Sequence, residues 1–226
     1  MEVADRKMQE RIERFNQMAI RLDFNQLPIG LYHGKMGLCI YYYELAGLTS
    51  ERKYRVIANK LFDDIVRRVT DKIDIEPSGG LTGICMAVNF LIDSGYMKGN
   101  PNYLLKNYDD KIIQSLLFNR LLDFNPKIEM IRHVLGSLSY LTIRLKHAGL
   151  SKNERTIMQG VIIEILNKIE SLAIDKFTEP TSFSVTTYFA PCYLQLLKHI
   201  YQLNFYKLSL TKRLDIMFNL ELIHCK

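Results

Sequence analysis

The chain is short of cysteine, of long apolar runs and of charge in excess, and each shortage removes a class of function. Its four cysteines, Cys39, Cys85, Cys192 and Cys225, fall at no CxxC spacing. Two of them lie inside apolar stretches, so they are expected to be small buried hydrophobes in a reducing compartment. No run reaches the roughly 18 apolar residues that a membrane span requires. The opening MEVADRKMQERIERF is too charged for a signal peptide, so a cytoplasmic protein is expected. Thirty basic against 24 acidic residues give a net charge of +6. That surplus is spread along amphipathic segments, which speaks against nucleic-acid binding. No Ser-His-Asp order, phosphate loop or dinucleotide fingerprint is present.

What is present is a repeat. Gly30–Leu45 reads GLYHGKMGLCIYYYEL and Gly80–Ile92 reads GLTGICMAVNFLI. Gly34 and Gly37 lie over Gly80 and Gly83 at a separation of 46 (83 minus 37), and an aliphatic residue and a cysteine follow in step. Each copy reads as a turn that needs glycine, followed by a helix apolar on nearly every side and hence enclosed by others. So short an apolar run also fits a central strand on periodicity alone, but the segments between the copies favour helix. Gly34, Gly37, Gly80 and Gly83 are therefore assigned a structural role. His133-Val134-Leu135-Gly136 occupies the place of a degenerate third copy, and Ala190-Pro191-Cys192 that of a fourth, with Pro191 expected in a first helical turn.

Between the copies lie one-sided stripes. Asp5–Asp23 carries Met8, Ile12, Phe15, Ala19 and Leu22, and Glu51–Ile73 carries Tyr54, Ile57, Ala58, Leu61, Phe62, Ile65, Val66, Val69 and Ile73. Gly47 is a candidate stop for the first enclosed helix and Ser50 a candidate N-cap for the next. Gly95 closes the second enclosed helix, and Lys98–Asn102 reads as a turn. Further stripes follow at Tyr108–Leu122 and, after the capping box Ser151–Glu154, through Ile157, Met158, Val161, Ile162, Ile165, Leu166, Ile169 and Leu172. Peripheral and enclosed helices thus alternate about every 50 residues. That is the pattern of helical hairpins laid side by side, inner helices forming one ring and outer helices another. The expected fold is all-α, a single domain over residues 1–226 forming a partial α/α toroid. Four pairs and one outer helix leave the ring unfinished at Lys226, with a flank for a partner or a second copy.

The two glycine motifs resemble the opening hairpins of the lanthionine synthetase C-like proteins, the cyclase family of lanthipeptide biosynthesis. The resemblance covers about residues 27–100. It implies an α/α toroid and a zinc-dependent cyclase, in which the metal binds a cysteine of a precursor peptide as thiolate for addition to a dehydrated serine or threonine. A free thiol has a pKa of about 8.5 and is mostly protonated at neutral pH, which is why the chemistry calls for zinc. Family members hold zinc with one cysteine and an adjacent Cys-His pair. Here the only adjacent pair is His224-Cys225, in reversed order, with Cys192 as a lone further donor. No zinc ligands, and so no cofactor, are assigned.

If the inner helices run parallel, their N-termini gather at one mouth, where partial positive charge favours anionic or carbonyl groups. Tyr32, His33, Lys35, Thr82, Arg132 and His133 are the candidate ligand-facing residues. The plain alternatives are that His33 stabilises its loop by hydrogen bonding and that Tyr32, Met36 and Tyr41–Tyr43 simply pack. Three functions are compatible with this: modification of a ribosomally made peptide, a non-catalytic module that holds a peptide or partner protein, and a carbohydrate-active toroid enzyme. The last would need paired acids at the inner-helix loops, and only Glu76 and Glu179 stand there.

Overall fold

The structure is a computed structural model and describes residues 2–70, 72–118, 128–176 and 185–205. Among the described residues all regular structure is helical: α1 (Glu2–Ile20), α2 (Lys35–Thr49), α3 (Arg52–Arg68), α4 (Leu81–Asp93), the short α5 (Pro101–Leu104), α6 (Lys106–Phe118), α7 (Ile128–Arg144), α8 (Lys152–Lys176) and α9 (Val185–Gln202). The enclosed segments are helices, not strands.

Helices α2, α4, α7 and α9 form a row, each packed on the next. Helix α3 backs α2, α6 backs α4 and α7, and α8 backs α6 and α7. This is the inner and outer layering of an α/α toroid, of which the described helices build a part. Burial follows the layering. Helix α4 sits between two cores: Ile84, Ala87 and Leu91 join the one built on α2 and α3, while Leu81 and Cys85 join the one built on α6, α7 and α8. A helix with cores on both sides has no polar face to show, hence LTGICMAVNFLI with only Asn89 strongly polar. Helix α3 instead buries Ala58, Leu61 and Ile65 and leaves Arg52, Lys53, Arg55, Arg67 and Arg68 outside. Its two terminal arginines also suit the helix dipole.

Several boundaries differ from expectation. Helix α2 runs through Gly47 to Thr49, and Ser50 ends it in the left-handed region at φ 57° instead of starting α3, which Glu51 precedes. Helix α3 stops at Arg68, short of Ile73, because the following chain must double back toward α4. Val66 and Ile157 are exposed despite their place in the stripes, as are Phe15 of α1 and Leu22 just beyond it. Within the expected turn Lys98–Asn102, Asn100 caps α5, its side chain accepting from Asn102 N. Pro191 lies in the second turn of α9, which starts at Val185. Gly95, at φ 73°, follows the end of α4, and Ser151 and Glu154 cap α8 reciprocally at 3.0 and 3.2 Å. The amphipathic run Tyr206–Leu222 lies outside the described residues.

Candidate functional site

The loops ahead of α2 and α4 repeat each other in hydrogen bonding as well as in sequence. Lys35 N donates to Pro28 O at 2.8 Å, and 46 residues on (81 minus 35) Leu81 N donates to Asp74 O at 2.7 Å. A Cβ on Gly37 would overlap the carbonyl oxygen of Leu31, and one on Gly83 the carbonyl oxygen of Pro77, again 46 apart (77 minus 31). Each loop therefore folds down on the first turn of its own helix, at a distance only glycine permits. Gly34 and Gly80 have φ of −143° and −104°, ordinary extended values, so closeness of approach and not left-handed backbone is what demands glycine there. The two loops also cross. Leu31 N and Tyr32 N both donate to Ser78 O, at 2.8 and 3.0 Å, and Gly30 meets Gly79 backbone on backbone.

The same bonds bear on the charge at the loop end. Loop carbonyls take up N–H groups at the starts of α2 and α4, Pro28 and Gly30 for the one and Asp74 for the other. A helix end satisfied in this way attracts anions less than an open one. The third copy differs in kind. Helix α7 begins at Ile128, so Gly136 lies in its third turn, and what presses on it is the ring of Pro77 from the previous loop.

Of the six candidate residues three are exposed, two are buried and one lines a pocket. Tyr32 is 70% exposed, and His33 and Arg132 are exposed as well. Lys35 is 1% exposed and its ammonium pairs with Asp64 of α3, which Arg68 also approaches at 3.2 Å. The hydrogen bond from Lys35 leads the causes that hold the Asp64 carboxyl below its usual range. Thr82 is fully buried and its hydroxyl donates to Ile75 O at 2.5 Å. His133 lines a pocket of about 70 Å³, together with Asp74, Ile75, Glu76, Ser115, Leu116 and Ser137. Its Nε2 stands 3.7 Å from Glu76 Oε2.

Glu76 is already employed. Its Oε2 accepts from Ser78 N at 3.0 Å and from the Ser78 hydroxyl, and its Oε1 accepts from Gly79 N. Burial pushes its carboxyl up, but these bonds and the nearby His133 outweigh that, and it lies below the usual range. It is therefore an ionised anchor and a poor proton donor. Glu179, its expected counterpart in a carbohydrate enzyme, lies outside the described residues. Sequence reading missed Asp74, Ser115 and Ser137. The signal for Ser137 was its spacing of four from His133, which shares a face only if α7 has already begun at that point.

The opposite end of the α4–α7 seam carries a buried charge pair. Arg144 Nε and Nη2 hold the Asp109 carboxylate at 3.0 to 3.1 Å, and the Tyr140 hydroxyl donates to it as well. Burial pushes Asp109 up while Arg144 and Tyr140 draw it down. Asp93 of α4 accepts from Asn89 at 2.9 Å and faces His147 Nε2 at 3.7 Å.

Zinc, which the resemblance implies, finds no fitting donor set among the described residues. Among the described residues no three His, Cys, Asp or Glu side chains converge to hold a metal ion. Cys39 and Cys85 are buried, and burial pushes both thiols up to about 12, the reverse of what a thiolate ligand needs. Cys192 is exposed on α9. His224 and Cys225 lie outside the described residues.

A row of inner helices, the first two led by glycine, backed by amphipathic outer ones defines a toroid-type protein built from helical hairpins. The chain matches the model of the family described as "Lanthionine synthetase C-like protein" over residues 25–187, which is 163 of 226 residues (187 minus 25, plus 1), and it belongs to that family. The match extends past the two glycine motifs through α7 and α8. No curated protein and no solved structure matches the chain. No described helix is long and apolar enough to cross a membrane.

Proposed function

We propose that this lanthionine synthetase C-like protein takes part in modifying a ribosomally made peptide of the lanthipeptide type, and that its own contribution is to hold the peptide at the loop end of the inner helices. The family match over most of the chain carries this reading. The exposed Tyr32, His33 and Arg132 and the pocket at His133 and Glu76 support it. The lack of converging metal donors among the described residues favours holding over zinc-dependent cyclisation by these residues. The partner is then a peptide, with a further protein or a second copy at the flank of the ring.

The test is a synthetic peptide carrying a cysteine and a dehydroalanine, labelled for fluorescence anisotropy, with zinc measured in the same purified protein. Binding is expected, with a roughly tenfold loss, about 1.4 kcal/mol, in the double variant Tyr32→Ala, His33→Ala. Absence of any binding sinks the reading. Stoichiometric zinc together with loss of the peptide thiol would instead make the chain a cyclase in its own right.

A further inference from the structure

We propose that His133 is a positioning residue whose charge sets the placement of the loop bearing Tyr32 and His33. The route is short and stiff. His133, on α7, faces Glu76 Oε2 at 3.7 Å, beyond hydrogen-bond length for a neutral imidazole. A protonated ring is drawn toward the carboxylate. That same Oε2 holds the Ser78 amide and hydroxyl, while Oε1 holds the Gly79 amide. Ser78 in turn presents its carbonyl to Leu31 N and Tyr32 N, and Gly79 lies directly on Gly30. Movement of Glu76 is therefore passed on through backbone amides and backbone contacts, with the Ser78 hydroxyl as the one side-chain link.

Few other charges compete. Asp74 is the other titratable group lining the pocket, and its Oδ1 accepts from Ile75 N at 2.7 Å. Helix α6 contributes Ser115 and Leu116 to the lining, neither of them charged, and Arg132 on α7 is exposed. The inference uses the proposed peptide-holding role only in giving Tyr32 and His33 something to contact. The coupling itself is independent of any ligand.

The experiment follows backbone amide and imidazole NMR signals of the full chain between pH 5 and 8, the span in which an imidazole changes charge. It is run in a His33→Gln background to remove the titrating neighbour of Tyr32. Ser78, Gly79 and Tyr32 amides are expected to shift along one curve whose midpoint is that of the His133 ring. His133→Gln should flatten all three. Glu76→Gln should leave the His133 ring titrating while flattening Tyr32. A Tyr32 amide that does not titrate, or one that still titrates with His133→Gln, overturns the proposal. Because no peptide is present, a failure here is distinct from a failure of the peptide-binding reading.

Discussion

The two ends of the α4–α7 seam place a histidine and a carboxylate at the same separation, 3.7 Å, in opposite surroundings. At the loop end the carboxylate is Glu76, tied into a backbone turn and bordering a pocket. At the far end it is Asp93, and the histidine lies beside the buried Arg144–Asp109 pair. The loop end is held by backbone contacts that only glycine allows, the far end by a buried charge pair in which Arg144 meets Asp109 through Nε and Nη2. Equal distances therefore do not imply equal behaviour, because burial and neighbouring charge decide what a histidine does when it protonates.

Breaking the far end should cost most. Arg144→Met strands Asp109 in the interior, and a loss of about 3–5 kcal/mol is expected in denaturant unfolding. An unchanged midpoint would show that the pair does not secure that end. At the loop end Gly83→Ala forces a methyl onto the carbonyl oxygen of Pro77. Backbone cannot yield as a side chain can, so a loss of about 3 kcal/mol is expected, with Gly37→Ala close behind. Gly136→Ala drives a methyl into the Pro77 ring, which is closed onto its own backbone and cannot rotate aside, and should cost about 2–3 kcal/mol. A Gly136 variant without measurable cost would mean that Pro77 and its loop shift aside. Gly160 in α8 has open space on the side where a Cβ would stand, with nothing within 4 Å. Its replacement by Ala should raise the thermal midpoint, by up to about 1 kcal/mol of stability.

The smallest effect separates the two histidine pairs by pH. Burial first, with Arg144 adding to it, lowers the pKa of His147 against the opposing pull of Asp93 and Asp109. The folded protein then binds fewer protons there than the unfolded chain. His147 thus contributes stability that is present above the unfolded value of about 6.5 and is lost as pH falls through the folded value. His199, lowered by burial and by Lys146 and Lys198, acts in the same direction. Unfolding midpoints from pH 7 down to pH 5 should decline less steeply for His147→Gln than for the wild type. Parallel declines would remove His147 from the account.

Much of this is legible in the chain itself. Glycines recurring with a 46-residue offset announce two loops of one shape, and the hydrogen bonds of Pro28 and Asp74 repeat with that offset. The capping box at Ser151 and the stripe through Leu61 and Ile65 are local signals, and the folded chain uses them locally. The failures share a cause. Lys35 looks like a mouth residue until Asp64, 29 positions away (64 minus 35), takes it inside. Nothing near Arg144 in the chain reveals Asp109, 35 positions away (144 minus 109). His133-Val134-Leu135-Gly136 looks like a loop because its glycine is visible and the Pro77 ring that fills the space is not.

The order of helices, which of them are oily all round, and the points at which a side chain would be intolerable follow from the amino acids alone, since periodicity and the bulk of a Cβ act over a turn or two. The partner of each buried charge, the ring that presses on Gly136 and the meeting of Glu76 with His133 were decided only by tertiary packing. Those contacts join residues 29 to 59 positions apart (64 minus 35; 136 minus 77), and only the packed helices bring them within reach of one another.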